Sequence, residues 1–196
     1  MKRLLYIFLF ISPFVSEAQI FEFGTGASFT NFEGQIFSED VKRFVKIEDS
    51  PQLTFNAIFS ASIPIKHLRP EVVVGLNPTA ALSLFYSTIA LDIPVLATIK
   101  LGAGSSEQSD GVLGLGFGMG GQLSLFSTYM NASFAPVPYS GVMILPIISG
   151  ETSVVFRGYN MYKLRVDITP VPLKRINKKF IGDISQINIR LLRSFL

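Results

Sequence analysis

The chain alternates between apolar and polar positions with a period of two, segment after segment. From Phe21 one set reads Phe21, Phe23, Thr25, Ala27 and Phe29, and the other Glu22, Gly24, Gly26, Ser28 and Thr30. Leu53, Phe55, Ala57, Phe59, Ala61, Ile63 and Ile65 oppose Gln52, Thr54, Asn56, Ile58, Ser60, Ser62 and Pro64, and Leu68, Val72, Val74 and Leu76 face away from Arg69, Glu71 and Asn77. Ile89, Leu91, Ile93, Val95, Ala97, Ile99 and Leu101 oppose Thr88, Ala90, Asp92, Pro94, Thr98 and Lys100. The next stretch sets Leu113, Leu115, Phe117, Met119, Leu123 and Leu125 against Gly114, Gly116, Gly118, Gly120, Gln122 and Ser124. Near the end, Tyr162, Leu164, Val166 and Ile168 oppose Lys163, Arg165 and Asp167, and Ile187, Ile189 and Leu191 oppose Gln186, Asn188 and Arg190. Successive side chains of a strand point to opposite faces, so each stretch predicts a strand with one greasy and one polar side.

Eight strands are predicted, over 20–32, 52–65, 68–77, 86–102, 111–126, 142–156, 160–169 and 184–196. Several exceed ten residues, whereas strands of soluble domains run to about 5–6 and a tilted membrane-crossing strand needs about 9–11. Length and alternation together predict an all-β fold: an eight-stranded antiparallel up-and-down transmembrane β-barrel, apolar outside and polar inside, with no open edge. The sixth strand is the exception. Val142 to Ile148 is apolar on both faces and contains Pro146, which predicts a bulge or bend. Lys66-His67 is read as a tight turn. With the start in the periplasm, 33–51, 78–85, 127–141 and 170–183 become outside loops and 103–110 a periplasmic turn. Ser38-Glu39-Asp40 is placed to cap a short helix carrying Val41, Phe44 and Val45.

Composition agrees with lipid contact: 48% of the 196 residues are hydrophobic and only 16% charged, against roughly 25% charged in soluble domains. There is no Cys, which removes disulfides, thiolate chemistry and a lipidated Cys anchor. Lys2-Arg3, the apolar run Leu4–Val15 and Ser16-Glu17-Ala18 read as a cleaved signal peptide over 1–18, leaving 19–196 as the barrel domain. Its removal takes away Lys2, Arg3 and Glu17, so the net charge falls from +3 to +2, too small a surplus to argue for nucleic acid.

The polar face carries Glu22, Arg69, Glu71, Asp92, Lys100, Lys163, Arg165, Asp167 and Arg190, expected to pair inside a narrow barrel that side chains fill. Arg193 is a charge on the apolar face, near the end where a long side chain reaches the interface. Lys174, Arg175, Lys178 and Lys179 form a basic patch able to meet lipid phosphates. Gly116, Gly118 and Gly121 match G-x-G-x-x-G, but they continue an alternating strand where a dinucleotide site needs a helix. His67 is the sole histidine, so neither a multi-His metal site nor a Ser-His-Asp set gains support. Asn131-Ala132-Ser133 matches a glycosylation acceptor, which carries little weight for a chain expected to form an outer membrane barrel. No catalytic, cofactor or metal site is read from these residues, and an enzyme is not expected.

Leu91-Asp92-Ile93-Pro94-Val95-Leu96, followed by Gly114-Leu115-Gly116-Phe117-Gly118 and preceded by Arg69-Pro70-Glu71, resembles the "porin family" or PorT-like outer membrane β-barrel domain of the Bacteroidetes. A mature start at Ala18-Gln19 fits the same group. The resemblance implies an OmpA/OmpX-type barrel in the outer membrane, surrounded by lipid and inserted by the barrel assembly machinery. That machinery favours a final aromatic residue; here Phe195 is penultimate and Leu196 follows. A structural, adhesion, assembly or secretion-accessory role follows, with protein partners unspecified. The alternatives are a secreted soluble barrel that binds a lipophilic ligand, as lipocalins do, with the apolar face turned inward, and a polytopic helical protein, which Asp92, Pro94 and the glycine strand oppose.

Overall fold

The computed structural model describes residues 20–48, 52–69, 71–85, 88–103, 105, 111–133, 135–156, 160–176 and 179–195. The expected leader over 1–18, Lys178 and most of the 103–110 turn lie outside them. The strands are β1 (Ile20–Ser38), β2 (Arg43–Lys46), β3 (Gln52–Arg69), β4 (Val72–Phe85), β5 (Thr88–Gly102), β6 (Leu113–Met130), β7 (Val137–Phe156), β8 (Asn160–Ile168), β9 (Leu173–Ile176) and β10 (Phe180–Phe195). All pairings are antiparallel, and β1 closes the sheet on β10 from Glu22↔Ser194 to Ile36↔Phe180. The result is a barrel.

Eight of the ten strands form the wall in the expected order. β9 continues β8: Ile168 pairs with Ile187 and Leu173 with Ile184, so five steps of chain oppose three on β10. The interruption falls at Pro170-Val171-Pro172. β2 folds back on the outer end of β1, pairing Arg43–Lys46 with Gln35–Ser38. It replaces the expected helix; the chain turns through Lys42 at φ 51° instead.

The alternation sets inside and outside as expected for most of each strand. Phe23, Phe55, Val95, Phe117, Ile144 and Leu191 are among the many large apolar side chains exposed on the outer surface. An apolar exterior this extensive matches hydrocarbon rather than water. Phe59 packs against Phe21 and Phe23, with centroids 6.0 and 5.1 Å apart, at the end holding the termini. Phe156 and Tyr162 pair at the same end, at 5.9 Å. This outward orientation removes the lipocalin-like alternative, which needed these residues to face one another.

Several boundaries differ from expectation. β3 runs through Lys66-His67, so these are not a turn. Bulges between Pro64 and Lys66 and between His67 and Arg69 break its register. β4 and β5 run together to Phe85↔Thr88, leaving no long loop at 78–85. β6 and β7 extend to Met130↔Val137, shortening the 127–141 loop. Pairing of β7 with β6 passes through Pro146↔Gly121 without a bulge. Even-numbered β7 residues direct their backbone away from β6, because Val155 N–H, an odd position, donates to Val112 O at 2.9 Å. Pro146 thus costs the β6 ladder no donor.

Candidate functional site

The lumen has two compartments. The half nearer the termini is polar and charged. Gly26, Arg190, Arg165, Glu151, Gly116 and Lys100 are register partners in one row running around the wall. Lys100 Nζ crosses over β6 to reach Glu151 Oε1 at 3.1 Å. It can do so because Gly116 has no side chain: a Cβ there would lie 2.5 Å from Glu151 Cγ. Lys100 Nζ also donates to Ser62 Oγ at 2.5 Å. Lys163 pairs closely with Glu22 and stands 3.9 Å from Glu151. Arg165 Nε donates to Asp167 Oδ1 at 2.7 Å, and its Nη1 donates to Asn77 Oδ1 and, at 3.2 Å, to Thr79 Oγ1. Arg190 Nε lies 3.2 Å from Asp167 Oδ2. Asp92 accepts from Ser124 Oγ at 2.5 Å and from Gln186 Nε2 at 3.5 Å. Glu22, Asp92, Glu151 and Asp167 balance Lys100, Lys163, Arg165 and Arg190, four against four, all at or near full burial. Seven of the eight stand in ion pairs and Asp92 is held by the hydrogen bonds from Ser124 and Gln186; buried charges persist in a narrow space when they are compensated in this way.

Seven of the nine residues expected to line the interior do so. Arg69 and Glu71 do not: both are exposed, at a turn past the barrel rim and beyond the two bulges that end the regular alternation of β3. Glu151 was missed. Counting by twos from the exposed Val142, Ile144 and Ile148 would have put it inside, but the apolar inner face of β7 hid the alternation.

The other half of the lumen is apolar. Phe32, Ile36, Phe126, Met143, Leu145, Ile147, Tyr139, Phe180 and Ile184 form one buried cluster. The Tyr139 ring packs at a tilt against Phe126 and Phe180, with centroids 5.5 and 5.6 Å away. A polar interior was expected throughout; the doubly apolar stretch Val142–Ile148 is where the sequence departs from it. The segment after β2 closes this end. Ile47 forms a bridge with Ala132, Glu48 N–H donates to Asn131 O at 2.9 Å, and Ser133 N–H donates to Lys46 O at 3.2 Å. β1 and β6 stand on opposite sides of the eight-stranded ring, so residues 43–48 cross the mouth. Val45 and Ile47 are buried in the cluster beneath.

The basic patch is only partly as expected. Lys174 and Lys179 are exposed, but Arg175 is half-buried and its Nη1 donates to Val142 O at 2.5 Å. Lys178 lies outside the described residues. Arg193 is exposed, 5.7 Å from the Tyr162 ring, and its Nη2 donates to Asn160 Oδ1 at 2.8 Å. Among the described residues no group of His, Cys, Asp and Glu is placed to hold a metal ion. Between the compartments lies a void of about 20 Å³ beside Phe32, Asp92, Phe126 and Met143, about the size of one water.

No family model matches the chain, and no curated protein matches its sequence. Among solved structures, outer membrane protein AlkL, determined in DMPC bilayers, is 11% identical, with 92% of this chain and 90% of that one covered at a TM-score of 0.51. The chain has the fold of a small outer membrane β-barrel. Ail of Yersinia pestis (9% identity, 91% and 98% covered, TM-score 0.48) and Neisserial surface protein A (12%, 90% and 97%, 0.44) also match.

Proposed function

We propose that this protein is an integral outer membrane barrel, sealed along its axis, that acts as a non-enzymatic anchor for the strand collar at its outer end. The observation that carries this reading is the double closure of the lumen. Balanced ion pairs fill one half, and the other is packed with apolar side chains under the segment 43–48. Such a lumen offers ions no continuous wet path. The apolar exterior supports a place in a bilayer, and export by the 1–18 leader with insertion by the barrel assembly machinery fits it. Leu91–Leu96 and the glycine strand support kinship with the PorT-like barrels of Bacteroidetes. The collar supports a role in adhesion, assembly or secretion: β1, β6, β7 and β10 rise beyond the short β4–β5 end, and a cleft of about 340 Å³ lies among Phe37, Glu39, Asp40, Pro136, Pro138 and Lys179. Lys174 and Lys179 are placed to meet lipid phosphates.

Planar-bilayer recording tests the sealed axis. The folded protein should insert without steady conductance, and a persistent open level would refute the reading.

A further inference from the structure

The wall has a seam. Backbone pairing between β7 and β8 ends at Ile148↔Ile168, yet β7 continues to Val137. β9, which takes over from β8, pairs with β10 alone. Among the described residues no backbone pairing joins β9 to the outer part of β7. The sequence builds this gap. Pro138 and Pro146 occupy even positions of β7, whose backbone faces the seam, so both donors are missing from that lip. Pro170 and Pro172 interrupt the other lip just before β9. A polar contact that crosses is Arg175 Nη1 to Val142 O, from a side chain that can swing away without breaking a ladder.

What lies on each side of the seam is alike. Outside, Val142 and Ile144 are 54% and 68% exposed, and Val171 is 65% exposed. Inside, Met143, Leu145, Ile147, Phe180 and Ile184 belong to the apolar compartment, with Leu173 packed against it. Toward the termini that compartment ends at the ion pairs, and toward the mouth it ends at backbone hydrogen bonds of residues 46–48 with the β6–β7 connection. Opening either would strand charges or backbone groups in a dry space. Opening the seam breaks neither.

We propose that the β7–β9 seam is a lateral entrance through which a linear aliphatic chain passes from the bilayer into the apolar half of the lumen. The occupant is an acyl-type chain because the seam opens directly onto the surface that meets acyl chains, because Val142, Ile144 and Val171 flank it outside, and because the chamber behind it, aliphatic and aromatic together, is apolar throughout. It is slender because the chamber is filled and must be vacated by rotating side chains. Met143, flexible and adjacent to the void of about 20 Å³, is the first to move. A membrane lipid's own acyl chain and a free aliphatic molecule share this chemistry. The proposal goes beyond the sealed-anchor reading and requires only that the barrel sits in a bilayer.

The chain has no Trp, so one substitution makes a single reporter. Met143→Trp places it in the chamber, Ile144→Trp on the lipid side of the same strand, and Leu192→Trp inside the wall away from the chamber. The full chain is reconstituted in phosphatidylcholine vesicles. Bromine is supplied either on the lipid acyl chains or as 1-bromododecane in unbrominated lipid, and folding is verified by mobility of unheated samples on gels. Brominated lipid should quench Ile144→Trp, and Leu192→Trp should hold its emission. Met143→Trp should lose roughly half its emission in at least one arm, as a minor open state becomes occupied; the lipid arm identifies a lipid chain, the alkane arm alone a free molecule. Bridging Val142→Cys to Arg175→Cys with a flexible bismaleimide should restore Met143→Trp and leave Ile144→Trp unchanged. The entrance is refuted if Met143→Trp behaves as Leu192→Trp in both arms, or if the bridge has no effect. Should Met143→Trp not fold, Phe180→Trp reports on the same chamber by an aromatic exchange. Failure of brominated lipid to quench Ile144→Trp would instead sink the membrane reading, and the entrance with it.

Discussion

Replacing Lys163 by Met keeps the length of the side chain and removes its charge. Lys163 is 1% exposed and pairs with Glu22, also 1% exposed, while standing 3.9 Å from Glu151. After Lys163→Met, Glu151 keeps Lys100 at 3.1 Å. Among the described residues Glu22 keeps the hydrogen bond from Ser62, whose hydroxyl donates at 3.4 Å, and the field of Lys100 nearby, but no ion pair of its own. The lumen then carries four acids against three bases, with one carboxylate stranded. Breaking one partner of a buried pair typically costs about 3–5 kcal/mol, much of it the desolvation of the group left behind. Glu22→Gln in the same chain removes that stranded charge, so the double variant should recover a large part of the loss. The coupling between the two sites should be on the order of 2 kcal/mol. Urea unfolding from vesicles, followed by the compact band on unheated gels, reads each free energy. Arg69→Ala serves as the control: exposed past the bulges, it should shift stability by no more than about 0.5 kcal/mol. A Lys163→Met cost of about 1 kcal/mol or less, or simple additivity with Glu22→Gln, would refute the claim that this pair holds the lumen.

Two further outcomes test the outer face and the glycine strand. Val95 lies at the middle of β5 and faces outward; Val95→Arg should cost about 2–4 kcal/mol in the same vesicle assay, the range for an Arg at the bilayer midplane. Gly116→Val puts a branched side chain where Glu151 Cγ now lies, 2.5 Å from the new Cβ. It should cost at least the usual ~1–3 kcal/mol of overpacking, and restoring room with Glu151→Ala should not recover it fully, because Lys100 would then lack its carboxylate.

The wall was legible because lipid outside and a narrow lumen inside impose the period-two pattern on nearly every strand. Seven interior charges followed from that parity alone. The failures have local causes. Arg69 and Glu71 take inward places only if 68–77 is one continuous strand; β3 instead runs to Arg69 and β4 starts at Val72, and two one-residue bulges, invisible in composition, carry the chain past the rim before it reaches them. Glu151 was overlooked because Met143, Leu145 and Ile147 precede it on the inner face and erase the contrast on which parity reading depends. Pro146 predicts a bulge or bend in its own strand, yet the β6 pairing runs through it unbroken. Its consequence falls on the neighbouring lip, which requires knowing which way each β7 backbone group points. The apolar chamber is hard to read from the sequence because it is assembled from four different strands: Phe32 and Ile36, Phe126 and Met130, and Phe180 and Ile184 sit at the ends of otherwise polar rows, and only together with the apolar row of β7 do they form one cluster.

The charged row also bears on how one register is selected. A one-residue slip of a strand turns its apolar set inward and is excluded by burial alone. A two-residue slip keeps every greasy residue outside, so the lipid face discriminates weakly against it. Glu151 would then oppose Gly114 or Gly118 in place of Gly116, and glycine offers room at each of the three. What changes is the partner beyond. In the native register Lys100 lies across Gly116 from Glu151; a slip by two moves that carboxylate along the strand and leaves a lysine dry and unpaired. The same holds for Arg190 on β10, which a slip against β8 would carry away from Asp167, while the Arg165–Asp167 pair lies within β8 and moves as a unit. The balanced charges therefore select, by the cost of misplacing them, among arrangements that the apolar exterior treats as nearly equal.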